Sequence, residues 1–146
     1  FCQDWARTPP PVALKRALIG RVAQIVRDMH AAGLNHRDCY LCHFLLHTDS
    51  PPTPDHLPLS VIDLHRSQVR ARVPLRWRDK DLAGLYFSAL GIGLTRSDKL
   101  RFLRAYFGKP LRQVLVEEAS VLAWMERKAA RIQARDQRKI AEGEQR

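Results

Sequence analysis

Leu14, Leu18, Val22, Ile25 and Met29 follow one another at spacings of four and three, while Lys15, Arg16, Arg21, Arg27 and Asp28 fall largely outside that stripe. This period predicts an amphipathic helix of about five to six turns. Thr8 followed by Pro9, Pro10 and Pro11 reads as its start, since a threonine hydroxyl caps free amides and proline is tolerated in a first turn. Gly33 reads as the left-handed cap that ends it. Two short apolar runs come next, Phe44-Leu45-Leu46 and Leu59 to Leu64, separated by the proline-rich HTDSPPTPDHLP; they predict a β-hairpin. From Arg78 to Leu90 the stripe Leu82, Leu85, Tyr86, Ala89 predicts a second helix, with Asp79 and Asp81 in a first turn whose dipole favours acids. Thr95 and Asp98 form a variant capping box for a third helix, Arg96 to Phe107, stopped by Gly108 and Pro110. A last helix from about Arg112 is expected to bury Leu115, Val121, Leu122, Met125 and Ile132, and then to be frayed or solvated over residues 136–146. The pattern is that of a mainly α fold with a small β-hairpin.

Composition narrows the class. A length of 146 residues with 45% hydrophobic content is enough for one domain with a real core. No run of 18 uncharged apolar residues occurs, and FCQDWARTPP lacks the basic-then-apolar order of a signal sequence, so a cytoplasmic protein is expected. Three cysteines are an odd number, which favours reduced thiols over a disulfide framework. A net charge of +10 provides a field for phosphates, nucleic acid, anionic lipid or an acidic protein partner without choosing among them. The first residue is Phe1 rather than Met, as expected of part of a longer protein.

The densest chemistry lies between the first helix and the hairpin. His36-Arg37-Asp38 matches the start of the phosphotransferase loop H-R-D-x-x-x-x-N, with His43 where the asparagine is expected. In that signature the aspartate accepts the proton of an attacking hydroxyl, and Arg37 orients the loop by hydrogen bonds from its planar fork. Asp63, at the end of an apolar strand, is the right residue in the right order to hold a magnesium ion that bridges the phosphates; its triplet is Asp63-Leu64-His65, without the glycine of a flexible switch. Singly, each aspartate is explained as a turn cap; the ordered pair is what points to chemistry. His43 is a poor substitute for an oxygen ligand of magnesium. Asp81 is the candidate to accept backbone amides of the loop, with Asp79 second.

Other motifs compete. Cys39 and Cys42 form C-x-x-C beside His36, His43 and His47, a conceivable zinc set that no second cysteine pair supports; inert buried cysteines are the plainer account. Gly91-Ile92-Gly93 lacks the third glycine of a dinucleotide loop and reads as a turn. Arg66, Arg70, Arg72, Arg76 and Arg78 follow the metal-binding candidate, where an anionic substrate would approach, and Arg127, Lys128, Arg131, Arg135, Arg138 and Lys139 could lie against an anionic membrane. A basic helical binding module for nucleic acid or an acidic protein uses the same charge, but no aromatic-basic binding signature accompanies it.

The uninterrupted NHRDCYLCHFLL, followed by VIDLHR, resembles the lipopolysaccharide core heptose(I) kinase family, and the similarity extends across the whole chain. The resemblance implies a protein-kinase-like α+β fold and transfer of the ATP γ-phosphate to a heptose hydroxyl of the lipopolysaccharide inner core, with Asp38 as catalytic residue and Asp63 as ligand of Mg2+. It implies an enzyme that is cytoplasmic, or peripheral on the cytoplasmic face of the inner membrane. The glycine-rich loop and the ATP-binding lysine with its helix glutamate are absent, so residues 1–146 resemble the carboxyl-terminal lobe alone, in which ATP binding is incomplete. A catalytically dead kinase-fold scaffold is the remaining alternative, and the paired Asp38 and Asp63 argue against it.

Overall fold

In the computed structural model, which describes residues 1–144, the first helix is α1, Val12–Ala31. It starts immediately after the prolines: Pro11 is the N-cap, at φ −49° and ψ 138°, and no side chain caps the helix. Thr8 instead gives its amide to the Asp4 carbonyl at 2.7 Å. A residue before proline is pushed out of the helical region, which keeps Thr8, Pro9 and Pro10 out of the helix. α1 buries Leu14, Leu18, Ile19, Ala23 and Val26, a face rotated from the expected stripe, while Val22 and Ile25 pack at the margin of the core.

Gly33 ends this segment at φ +87°, and a Cβ there would lie 1.8 Å from the Arg70 carbonyl oxygen. That approach closes a two-stranded sheet that the alternation pattern does not reveal: β1, Leu34–Asn35, pairs antiparallel with a strand at Gln68–Val69, in the register Leu34 to Val69 and Asn35 to Gln68. The expected hairpin is present. Strands β2, Phe44–Leu46, and β3, Leu59–Val61, pair antiparallel with Phe44 opposite Val61 and Leu46 opposite Leu59. The second run stops short of Leu64 because Asp63 adopts a left-handed conformation, φ +63°, and leads into a single 3-10 turn at Leu64–Arg66. The Gln68–Val69 strand is therefore β4.

α2, Leu75–Ser88, begins three residues before the expected Arg78. Asp79 and Asp81 consequently sit beyond the first turn, and Asp81 points inward with Leu82, Ala83 and Leu85. α3, Arg96–Phe107, has the expected capping box: the Asp98 amide donates to Thr95 Oγ1 at 3.1 Å and the Thr95 amide to Asp98 Oδ2 at 2.9 Å. Lys15 Nζ reaches the same carboxylate at 2.7 Å and ties α1 to α3. Burial pushes the Asp98 carboxyl up, but the bonds from Lys15 and Thr95 outweigh it and hold it below its ordinary range.

The expected last helix is two. α4, Leu111–Glu117, and α5, Ala119–Glu144, break at Glu118, which Arg78 grips with both terminal nitrogens at 3.1 and 2.8 Å. The break changes the buried face: Val114 is 1% exposed, while Leu115, expected inside, is 42% exposed. Met125 and Ala129 anchor α5, which runs as helix to Glu144 with residues 136–143 exposed; residues 145–146, the end of the tail expected to fray, lie outside the described residues. The main core joins Ala23 and Val26 of α1 to Phe44, Leu82, Tyr106 and Met125 from the other elements. A smaller cluster packs Trp5 on Leu14 and Leu18. Among the described residues no helix is long and apolar enough to cross a membrane.

Candidate active site

The loop leaving β1 is held from below by one carboxylate. Asp81, 1% exposed, accepts the His36 amide on Oδ2 at 2.8 Å and the Arg37 amide on Oδ1 at 2.9 Å. The consecutive amides fall on the two oxygens of one side chain at a point where Arg37 is left-handed, φ +72°. A carboxylate suits this role because it accepts only, and bonds to an ionised acceptor are about twice as strong as neutral ones. Asp81 takes a third bond, from His30 Nε2 at 2.9 Å, and His30 Nδ1 accepts the Tyr106 hydroxyl at 2.6 Å. A neutral His30 with its proton on Nε2 satisfies both contacts. Burial, first, and the nearby carboxylates push the Tyr106 hydroxyl above its ordinary range, so it remains a donor. This buried relay from α3 through α1 and α2 to the loop was visible in the sequence only at Asp81. His30 and Tyr106 could have been found as polar rings interrupting otherwise apolar helix faces.

Asp38 and Asp63 are brought together by histidines. His43 donates from Nδ1 to the Asp38 carbonyl at 2.7 Å and places Nε2 3.2 Å from Asp63 Oδ2. His36 stacks on His43, with ring centroids 5.6 Å apart and planes 5° from parallel, and donates from Nε2 to the Ile62 carbonyl at 3.0 Å. The residue standing in the asparagine position thus connects the loop to the metal-binding candidate. His65 Nδ1 caps the other oxygen of Asp63. Asp38 is 8% exposed, and Arg66 Nη1 occupies its Oδ1 at 2.8 Å. Arg37 and Asp63 are the two non-glycine residues with positive φ among those described. Each such conformation costs about 1–3 kcal/mol and persists only where its surroundings fix it, as they do here.

As a magnesium site this donor set fits in part. Asp63 offers hard carboxylate oxygens, and a magnesium ion that also carries phosphates and waters needs only one or two carboxylates from the protein. His43 offers nitrogen, which suits the ion less well, and no group of three metal-ligating side chains occurs among the described residues. At the C-x-x-C, Cys39 is buried while Cys42 is exposed. Burial first, and Asp81 second, push the Cys39 thiol above its ordinary range, and it behaves as a core residue. Gly91-Ile92-Gly93 forms a turn, with Gly93 at φ +78°.

The basic residues divide. Arg66 faces Asp38, as described, and Arg72 sits exposed in a bend. Arg70 donates to Gln68 at 2.6 Å and stacks 5.8 Å from the Trp77 ring. Arg78 is committed to Glu118 and Asp79, so it serves the packing of α5 and not the site, and Asp79 is spoken for in the same way.

A mainly helical body, a hairpin linking an H-R-D loop to a strand-end aspartate, and a helix carboxylate under the loop define the carboxyl-terminal lobe of a protein-kinase-like fold. Residues 1–106 match the lipopolysaccharide kinase (Kdo/WaaP) family, and the chain belongs to that family. It is 66% identical over 138 residues to the lipopolysaccharide core heptose(I) kinase WaaP of Pseudomonas aeruginosa, covering 94% of this chain and 52% of that protein. To the WaaP of Escherichia coli strain K12 it is 58% identical over 139 residues, 95% of this chain and 52% of the relative. A solved structure of WaaP in complex with acyl carrier protein superposes with a TM-score of 0.88 at 67% identity, over 90% of this chain and 54% of that one. The chain spans about half the length of the curated relatives it matches.

Proposed function

We propose that this chain carries the catalytic half of an ATP-dependent phosphotransferase whose acceptor is a heptose hydroxyl of the lipopolysaccharide inner core. The observation that supports it best is the single imidazole of His43, which spans the Asp38 backbone and the Asp63 carboxylate. Phosphoryl transfer requires mostly positioning and neutralisation of charge, and this bridge ties the Asp38 main chain to the Asp63 carboxylate. In this reading Arg66 holds Asp38 Oδ1, leaving Oδ2 for the acceptor hydroxyl. The hydroxyl proton passes to that oxygen as the sugar oxygen bonds to the γ-phosphorus, and the bond from phosphorus to the bridging oxygen of ADP breaks. Asp63 would hold magnesium, which neutralises the phosphate oxygens when bound. Arg66, Arg70 and Arg72 border the route of an anionic glycolipid, and we place the protein in the cytoplasm or peripherally on the inner membrane, where such a substrate is presented. The structural neighbour was solved with an acyl carrier protein, and we extend a protein partner of that kind to this chain. The test is transfer of labelled γ-phosphate from ATP to dephosphorylated inner-core lipopolysaccharide by the intact protein, beside Asp38→Asn. Incorporation that falls by about 10²–10⁴ in the variant is expected for loss of a general base. No incorporation by the folded intact protein would overturn the proposal.

A further inference from the structure

One aromatic ring outside the carboxylate pair gathers an unusual share of the positive charge. Four cationic groups surround Trp77: Lys80 Nζ at 4.7 Å from the ring centroid, Arg76 at 4.9 Å, Arg37 at 5.2 Å and Arg70 at 5.8 Å. They come from three different places, the loop beside Asp38, the residue that follows β4, and two positions one turn apart on α2. Among the described residues none of the four forms an ion pair with a carboxylate. Arg37 Nε is moreover buried with no hydrogen-bond partner, and buried donors are rarely left so.

An indole offers a cation two faces, and its quadrupole cannot neutralise four charges that repel one another. What the cluster lacks is an anion. The guanidinium groups are held before any ligand arrives, Arg70 by Gln68 and the others against the ring, and a planar fork matches the oxygens of phosphate in bidentate fashion. The first turn of α2 adds the positive end of its dipole at the same place. We propose that Trp77, Arg37, Arg70, Arg76 and Lys80 form a binding site for a phosphate dianion, separate from the γ-phosphate position at Asp38 and Asp63. The group is carried either on the acceptor glycolipid or as free phosphate; the first source rests on the kinase reading above, whereas the binding chemistry does not.

The experiment is calorimetric titration of the intact protein, without ATP or acceptor, with inorganic phosphate, glucose 1-phosphate and neutral glucose. Both phosphates should bind and glucose should not. The exposed pair Arg76→Gln/Lys80→Gln should weaken phosphate binding by about tenfold or more, as expected for lost charge-assisted bonds, with an unchanged circular-dichroism spectrum. Phosphate should also alter tryptophan emission in the native protein, and Trp77→Phe should abolish that change. Tighter binding of the sugar ester identifies a substrate-borne phosphate, and tighter binding of inorganic phosphate identifies the free ion. Absence of binding up to about 10 mM, where even a weak anion site is filled, or equal affinity in the double variant, would overturn the site. Because no turnover is read, such a result would leave the kinase reading standing, and a kinase assay that failed would leave the anion site standing.

Discussion

Replacing Asp81 with asparagine isolates the device that shapes the loop. The side chain keeps its volume but has one oxygen where it had two; because Oδ2 takes both the His36 amide and His30, the amide nitrogen costs least where it faces the Arg37 amide, donor to donor. A buried amide left without an acceptor costs about 1–3 kcal/mol. The remaining bonds, to one loop amide and to His30, lose their charge assistance and about half their strength. Together these give about 3–5 kcal/mol, of which the relaxation of left-handed Arg37 returns about 1 kcal/mol. The net, about 2–4 kcal/mol, is a large part of the 5–15 kcal/mol that ordinarily holds a domain together. It corresponds to a fall in Tm of roughly 10 °C. The assay is a thermal melt of the intact protein paired with phosphate transfer well below the variant's Tm. Turnover should fall by about 10² or more, since a misplacement of 1 Å at Asp38 is enough for that. His30→Gln and Tyr106→Phe should follow in that order of decreasing effect, the last losing one neutral bond of about 1 kcal/mol. A Tm within 2 °C of the parent's together with turnover within about twofold would refute the relay, since that corresponds to less than 1 kcal/mol on either quantity.

Four further outcomes are expected. Gly33→Ala places a methyl group 1.8 Å from the Arg70 carbonyl at a φ that alanine avoids, so β1 and β4 must separate; a loss of more than about 2 kcal/mol in a chemical denaturation midpoint is expected, and an unchanged midpoint would show that the backbone yields. His43→Asn should change the magnesium dependence of turnover, because an oxygen ligand replaces a nitrogen beside Asp63; identical dependence and rate would remove His43 from the chemistry. Iodoacetamide should alkylate exposed Cys42 in the native protein and Cys39 only after denaturation, as read by peptide mass spectrometry. Cys39 and Tyr106 are held neutral by burial, with folded-state values above the unfolded ones. Their contribution to stability is therefore full below the ordinary thiol range and is lost as pH rises above about 8.5, by up to about 1.4 kcal/mol per pH unit for each group once the unfolded form ionises. Melts between pH 8 and pH 10.5 should show that decline, and it should be shallower in Cys39→Ala.

What the sequence discloses and what it hides separate along a physical line. Local rules act within a few residues, and where they govern, the sequence is legible: the Thr95–Asp98 box, the end of α1 at Gly33 and the β2–β3 hairpin all appear where their side chains require. The loop motif is legible for the same reason, since its chemistry is written in consecutive residues. The β1–β4 sheet is two residues long on each side and has no alternation to betray it; it exists because Gly33 allows the Arg70 carbonyl to approach. The split between α4 and α5 depends on an arginine forty residues away in the chain, and no window on Leu111 to Glu144 contains it. The contact of Arg66 with Asp38 joins residues twenty-eight apart in the chain, and no local pattern announces it. The Asp81 relay lies between the two cases. An aspartate on an apolar helix face marks a buried acceptor, but which donors fill it is decided by the packing of α1 on α3, which carries His30 and Tyr106 to Asp81, and that packing exists only in three dimensions.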